Sequence, residues 1–167
     1  FFQTNTFQTT VLYDQVRDFI GGKVPLIYDL YCGAGSIGIY ISDLAERIVG
    51  VEYVEAAVED AKVNCQINGL THLSFIAGDM KKILSEEFIA REGRPDVVVT
   101  DPPRAGMDEP VVKQLLALRA QRIVYVSCNA STQARDLALL SEIYDVVAAQ
   151  PVDMFPQTTH VENVALL

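Results

Sequence analysis

A chain of 167 residues, half of them hydrophobic and 21% charged, is long enough for one domain with a sizeable core and too apolar for disorder. No apolar run approaches the roughly 18 residues of a membrane span, and no basic segment leads into an apolar one at the start, so neither membrane anchor nor secretion signal is expected. A formal net charge of −9 argues against this chain alone gripping a nucleic-acid backbone, because Lys and Arg supply most phosphate contacts.

Strand-like and helix-like segments alternate in chain order. The first helix is expected over 7–19, stopped by Gly21-Gly22, and strand one over 26–31. A glycine turn at 33–35 leads to a helix reaching 45, then strand two at 47–53 and a helix at 55–67 closed by Asn68-Gly69. Strand three follows at 73–77, a helix at 81–90, and strand four at 96–101, which Pro102-Pro103 ends. A helix at 109–118, strand five at 122–127 and a helix at 131–140 complete the alternation. The ending breaks the rhythm: 144–154 and 161–167 are both strand-like, joined by Phe155-Pro156-Gln157-Thr158-Thr159 with no helix between them.

Repeated strand–helix units predict an α/β domain, spanning 1–167, with a mostly parallel sheet covered on both faces. The two closing strands predict an antiparallel hairpin, making seven strands in all. This pattern resembles the class I S-adenosylmethionine-dependent methyltransferase (Rossmann-like) fold, whereas a dinucleotide-binding domain normally keeps its strands parallel. Cys32, Cys65 and Cys128 form no C-x-x-C, so no metal site is expected; Cys32 and Cys65 read as buried small hydrophobes, and a reducing, cytoplasmic setting fits. The opening Phe1-Phe2-Gln3, without an initiator methionine, reads as the start of an excised piece.

Chemistry gathers at the strand ends. Gly33, Gly35 and Gly38 form G-x-G-x-x-G where strand one meets a helix, a turn that lets a ligand approach the backbone and that nicotinamide and S-adenosylmethionine sites share. Glu52, ending strand two, is placed to accept from ribose hydroxyls. Asp79, after strand three, reads equally as an adenine contact or a helix cap. Asp101-Pro102-Pro103 ends strand four; followed by an aromatic, this motif marks amino-group methyltransferases, but here Arg104 follows. Cys128 ends strand five just before a helix, whose N-terminus is expected to lower the thiol's pKa. His160 and Glu162, two apart on a predicted strand, are expected to share a face, and either suits a general base.

Phe2-Gln3-Thr4-Asn5, the glycine motif, Asp101-Pro102-Pro103-Arg104, Ser127-Cys128-Asn129, Ala134-Arg135-Asp136-Leu137 and His160-x-Glu162 together resemble the RNA 5-methyluridine (uracil-5-) methyltransferases, across the whole chain and in family order. These enzymes modify 23S ribosomal RNA or transfer RNA. The resemblance implies Cys128 as nucleophile and Glu162 as base. It also implies that Gln3, Tyr31, Ser36, Glu52, Asp79 and Asp101 contact S-adenosylmethionine beside Gly33 and Gly35. An RNA partner would be held largely by an upstream domain outside this chain. Ala130 stands where many members have proline, and Ser36 where some have asparagine. Amino-group methylation of adenine or guanine, a nicotinamide-dependent oxidoreductase and a cofactor-binding domain without turnover are the rival readings.

Overall fold

The computed structural model describes residues 5–167. In chain order it runs α1 (Thr6–Ile20), β1 (Val24–Leu30), α2 (Ser36–Tyr40), a 3-10 turn (Ser42–Leu44), β2 (Ala45–Glu52), α3 (Glu55–Ile67) and β3 (Leu73–Ala77). Then come α4 (Met80–Ile83), α5 (Glu86–Glu92), β4 (Val97–Thr100), α6 (Glu109–Leu118), β5 (Arg122–Ser127), α7 (Ala130–Leu140), β6 (Ala148–Val152) and β7 (Glu162–Leu166). The seven strands form one sheet in the order β3-β2-β1-β4-β5-β7-β6. Its first five strands are parallel, and β7 is antiparallel to both β5 and β6. The predicted architecture is therefore the observed one. The last strand in the chain is inserted between its two neighbours rather than added at the edge.

Alternation along the central strands builds two cores. Tyr28 and Leu30 of β1, Val98 of β4, and Ile123 and Tyr125 of β5 face one layer, packed by α6 and the α4–α5 region. Ile27, Val97, Val99, Val124 and Val126 face the other, packed by α1 through Leu12, Val16 and Ile20. A sheet buried on both faces needs such near-continuous Val/Ile/Leu runs. A third cluster joins Cys32 to Val58, Ala61 and Cys65 of α3 and to Phe75 of β3, so those two thiols are buried as expected.

Differences from the sequence reading have local causes. The helix expected over 81–90 is two helices, because the Ser85 side chain accepts from the Phe88 N–H and caps a new start. The helix expected to reach 45 stops at Tyr40, since Ala45 already pairs with Val24 as the first residue of β2. Of 144–154 only Ala148–Val152 is strand. Tyr144 instead continues the turn after α7, buried, its hydroxyl donating to the Ala120 carbonyl at 3.1 Å. Among the described residues, no helix is long and apolar enough to cross a membrane.

Candidate functional site

A cavity of about 630 Å³ opens at the carboxyl ends of β1, β2, β4 and β5. Its floor is the glycine turn. Tyr31 leaves β1 with φ 59°, followed by Gly33 at 52° and Gly35 at 79°. A side chain on Gly35 would stand 2.9 Å from the Phe75 ring, so the close packing of α2 on the sheet requires glycine there. Beneath the turn Asp29 is fully buried, one carboxylate oxygen accepting from the Gly38 N–H at 3.0 Å and the other without a partner among the described residues. Burial pushes its pKa up to about 7. Glu52 accepts from the Gly33 N–H at 3.0 Å through one oxygen and from the Val54 N–H at 2.9 Å through the other. A carboxylate offers about four acceptor positions, so Glu52 retains capacity toward the cavity.

The opposite wall carries a thiol and two carboxylates. In the β5–β7 pair Ser127 faces Asn163, the last pair of the register, so Cys128, next after Ser127, and Glu162, next before Asn163, lie at the same end of the pair. Because β7 runs against β5, its first residue lies at the edge where β5 ends. Glu162 is 5% exposed and Cys128 half-buried, and both line the cavity with Asp101. Burial pushes the Asp101 carboxyl up to about 8, with Glu162 and Asp29 adding repulsion. Burial also raises Glu162. The Cys128 thiol is raised as well, first by burial and then by Glu162 and Asp101, against the opposing pull of Arg104. This reverses the lowered thiol pKa expected from the helix start: burial first, and then the two nearby carboxylates, hold the thiol up.

The loop after β4 is held in place from behind. The fully buried Asp136 accepts from the Met107 N–H and the Tyr125 hydroxyl, both at 2.7 Å, while Arg135 donates to it and to the carbonyls of Ala105 and Met107. The Ala134-Arg135-Asp136-Leu137 motif thus fastens residues 104–107 to α7 and β5. Gln133 does the same for β7, donating to the carbonyls of Tyr125 and Asn163 and accepting from the Asn163 amide.

Of the residues singled out in the sequence, Tyr31, Gly33, Ser36, Glu52, Asp101, Cys128 and Glu162 line this one cavity. Gly35 shapes the turn without lining it. Asp79 caps α4 by accepting from the Lys81 N–H and lines an adjoining cavity of about 150 Å³, which shares Tyr31 and Tyr53 with the first. Gln3 lies outside the described residues. His160 does not share a strand face with Glu162, because β7 begins at Glu162; it is exposed and bonded to Arg104. Sequence reading missed Tyr13 of α1, which lines the cavity near Asp101 with its pKa pushed up to about 12, chiefly by burial. Its place in the helical stripe of Leu12, Val16 and Ile20 disguised it as ordinary core.

The charges of the lining discriminate between ligands. Glu52, Asp101 and Glu162 face one guanidinium, Arg104, among the described lining residues. Such a wall favours a cationic ligand and repels the pyrophosphate of a dinucleotide.

A family model described as tRNA (Uracil-5-)-methyltransferase matches residues 1–167. A protein of Bacteroides thetaiotaomicron named as an uncharacterized RNA methyltransferase is 56% identical over 169 aligned residues, which cover 100% of this chain and 37% of that protein. Among solved structures, the Pyrococcus abyssi tRNA (uracil-54, C5)-methyltransferase in complex with S-adenosyl-L-homocysteine aligns with a TM-score of 0.88 and 36% identity, over 100% of this chain and 40% of that one. The N-methyltransferase NodS of Bradyrhizobium japonicum, 15% identical, aligns with a TM-score of 0.77 over 95% of this chain and 86% of its own, a likeness of fold alone. The chain spans little more than a third of the length of the curated relatives it matches.

Proposed function

The chain belongs to the tRNA (uracil-5-)-methyltransferase family, and on that footing we propose that it methylates C5 of a uridine in RNA through a covalent bond from Cys128 to C6 of the base. The observation that carries this reading is the antiparallel pairing of β5 and β7, at whose common end Cys128 and Glu162 both line a single cavity. Amino-group methylation needs neither residue. S-adenosylmethionine, when bound, supplies the methyl group as a sulfonium. Its positive charge fits the acidic lining, and Glu52, Tyr31, Ser36, Asp101 and the glycine turn are the residues suited to hold it.

C5 of uracil is a weak nucleophile. Addition of the Cys128 thiolate to C6 breaks the C5–C6 double bond and moves its electrons toward C5, which divides one hard step into easier ones. The thiol must first lose its proton, and Asp101, pushed up to about 8 chiefly by burial, is a stronger base than an ordinary carboxylate and suits the part of acceptor when ionised. Once C5 carries the methyl group, Glu162 removes the C5 proton, the double bond re-forms and the C6–S bond breaks. Burial raises the basicity of Glu162, which suits it to that task. The target base must leave its stack to reach the cavity, at a cost of a few kcal/mol.

In this reading residues 1–167 form the catalytic unit, acting in the cytoplasm on 23S ribosomal or transfer RNA, with most of the phosphate grip supplied by sequence upstream. RNA carrying 5-fluorouridine has no C5 proton to lose, so incubation with the chain and S-adenosylmethionine should yield an adduct at Cys128, identified by mass spectrometry. An unmodified Cys128 in protein that binds S-adenosylmethionine overturns the covalent scheme. Undiminished methylation by Cys128→Ala would favour the amino-group reading instead.

A further inference from the structure

Arg104 is the single cation among the described residues that line the cavity, where it faces the carboxylates of Glu52, Asp101 and Glu162. Its backbone is fixed: the Arg104 carbonyl accepts from the Asn129 amide at 3.2 Å and the Thr132 hydroxyl at 3.1 Å, both beside Cys128. Its side chain is exposed at the mouth, with one Nη donating to Nδ1 of His160 at 3.0 Å. A guanidinium can only donate, so in this contact Nδ1 is the acceptor. This single contact leaves most of the Arg104 donors unused among the described residues.

We propose that Arg104 binds a backbone phosphate of the target nucleotide, displacing His160, and thereby sets the orientation in which a uridine enters the cavity. The proposal rests on the reading of the substrate as a uridine in RNA. A nucleotide approaching this cavity meets an acidic lining, Glu52 and Glu162, that repels its phosphate and one guanidinium that attracts it. The favourable arrangement puts the phosphate at Arg104 and the uncharged base inward, toward Cys128. A guanidinium–phosphate pair is charge-assisted and admits two parallel hydrogen bonds, so it replaces the single bond to the imidazole with net gain. His160 holds the guanidinium over the mouth until the phosphate arrives.

Nuclear magnetic resonance titration of the whole chain tests this without any chemistry, using uridine, uridine 5′-monophosphate and uridine 3′-monophosphate. At least one nucleotide should bind about tenfold more tightly than the nucleoside and shift the Arg104 guanidinium and His160 ring signals. Arg104→Gln should abolish that preference, and Arg104→Lys should restore only part of it, because the planar fork is lost. Equal affinity for nucleoside and both nucleotides, a preference that survives Arg104→Gln, or no phosphate-dependent shift at Arg104 or His160 overturns the proposal. Failure of 5-fluorouridine to trap Cys128 strikes the covalent scheme alone, since the phosphate preference is read from binding.

Discussion

Cys128 titrates in the company of Asp101, Glu162 and Arg104, and removing any one of these charges should move it in a known direction. Glu162→Gln deletes a neighbouring negative charge, so the thiol should ionise at lower pH, while Arg104→Gln should shift it upward. Alkylation rate against pH reads this directly, because Cys32 and Cys65 are buried and Cys128 is not. Asp101 bears on stability. Its folded pKa of about 8 lies above the unfolded value of about 3.9, so the folded state holds its proton more tightly. Stability from this group is therefore complete below about pH 4 and declines as pH rises toward 8. Asp101→Asn should raise the Tm at pH 8 by several degrees and leave it nearly unchanged at pH 4, as followed by circular dichroism. The sequence displayed the helix start after Cys128, and from it a lowered thiol pKa followed. Burial and then two carboxylates reverse the sign; the carboxylates follow β4 and open β7, and their approach is a product of long-range pairing that no local pattern reveals.

Helix α7 works as a clamp on both neighbours of the site. Asp136 satisfies a backbone N–H from the loop after β4 and a buried hydroxyl from β5, so Asp136→Ala leaves both donors unpaired inside the protein. A loss of about 3 kcal/mol is expected, read by urea unfolding, with Asp136→Asn milder because it keeps an acceptor. Gly106 adds a steric requirement: at φ 79° its added Cβ would stand 2.6 Å from the Arg135 guanidinium and 2.7 Å from the Asp136 carboxylate. Gly106→Ala should therefore cost at least 1–2 kcal/mol by the same measurement. Elements of this size were legible where composition and caps agreed, as for α3, α6, β3 and β5, whose bounds match the pattern. They were misread where a single polar side chain competed with the backbone, as Ser85 does between α4 and α5. His160 was misplaced for a related reason: period-two alternation was extended two residues beyond the true start of β7.

At the scale of the whole molecule, charge and topology pull apart. A chain of net charge −9 whose reaction cavity has one described cationic lining residue is poorly equipped to hold a polyanion. RNA affinity of these 167 residues should fall with salt at a slope near −1 on logarithmic axes, one phosphate's worth, in filter-binding measurements. A slope of −4 or steeper would show a basic surface elsewhere on the chain. The parallel sheet and its closing antiparallel hairpin were legible in the alternation of units; the insertion of β7 between β5 and β6 was not, since a hairpin can attach by either strand. That insertion governs how the site comes into being. Until β7 docks, β6 has no neighbour in the sheet and β5 ends it with unpaired backbone groups. The pairing that completes the sheet is also the one that brings Glu162 to the edge where Cys128 lies, so under the proposed scheme a chain in which β7 has not docked has the thiol but lacks the base for the C5 proton.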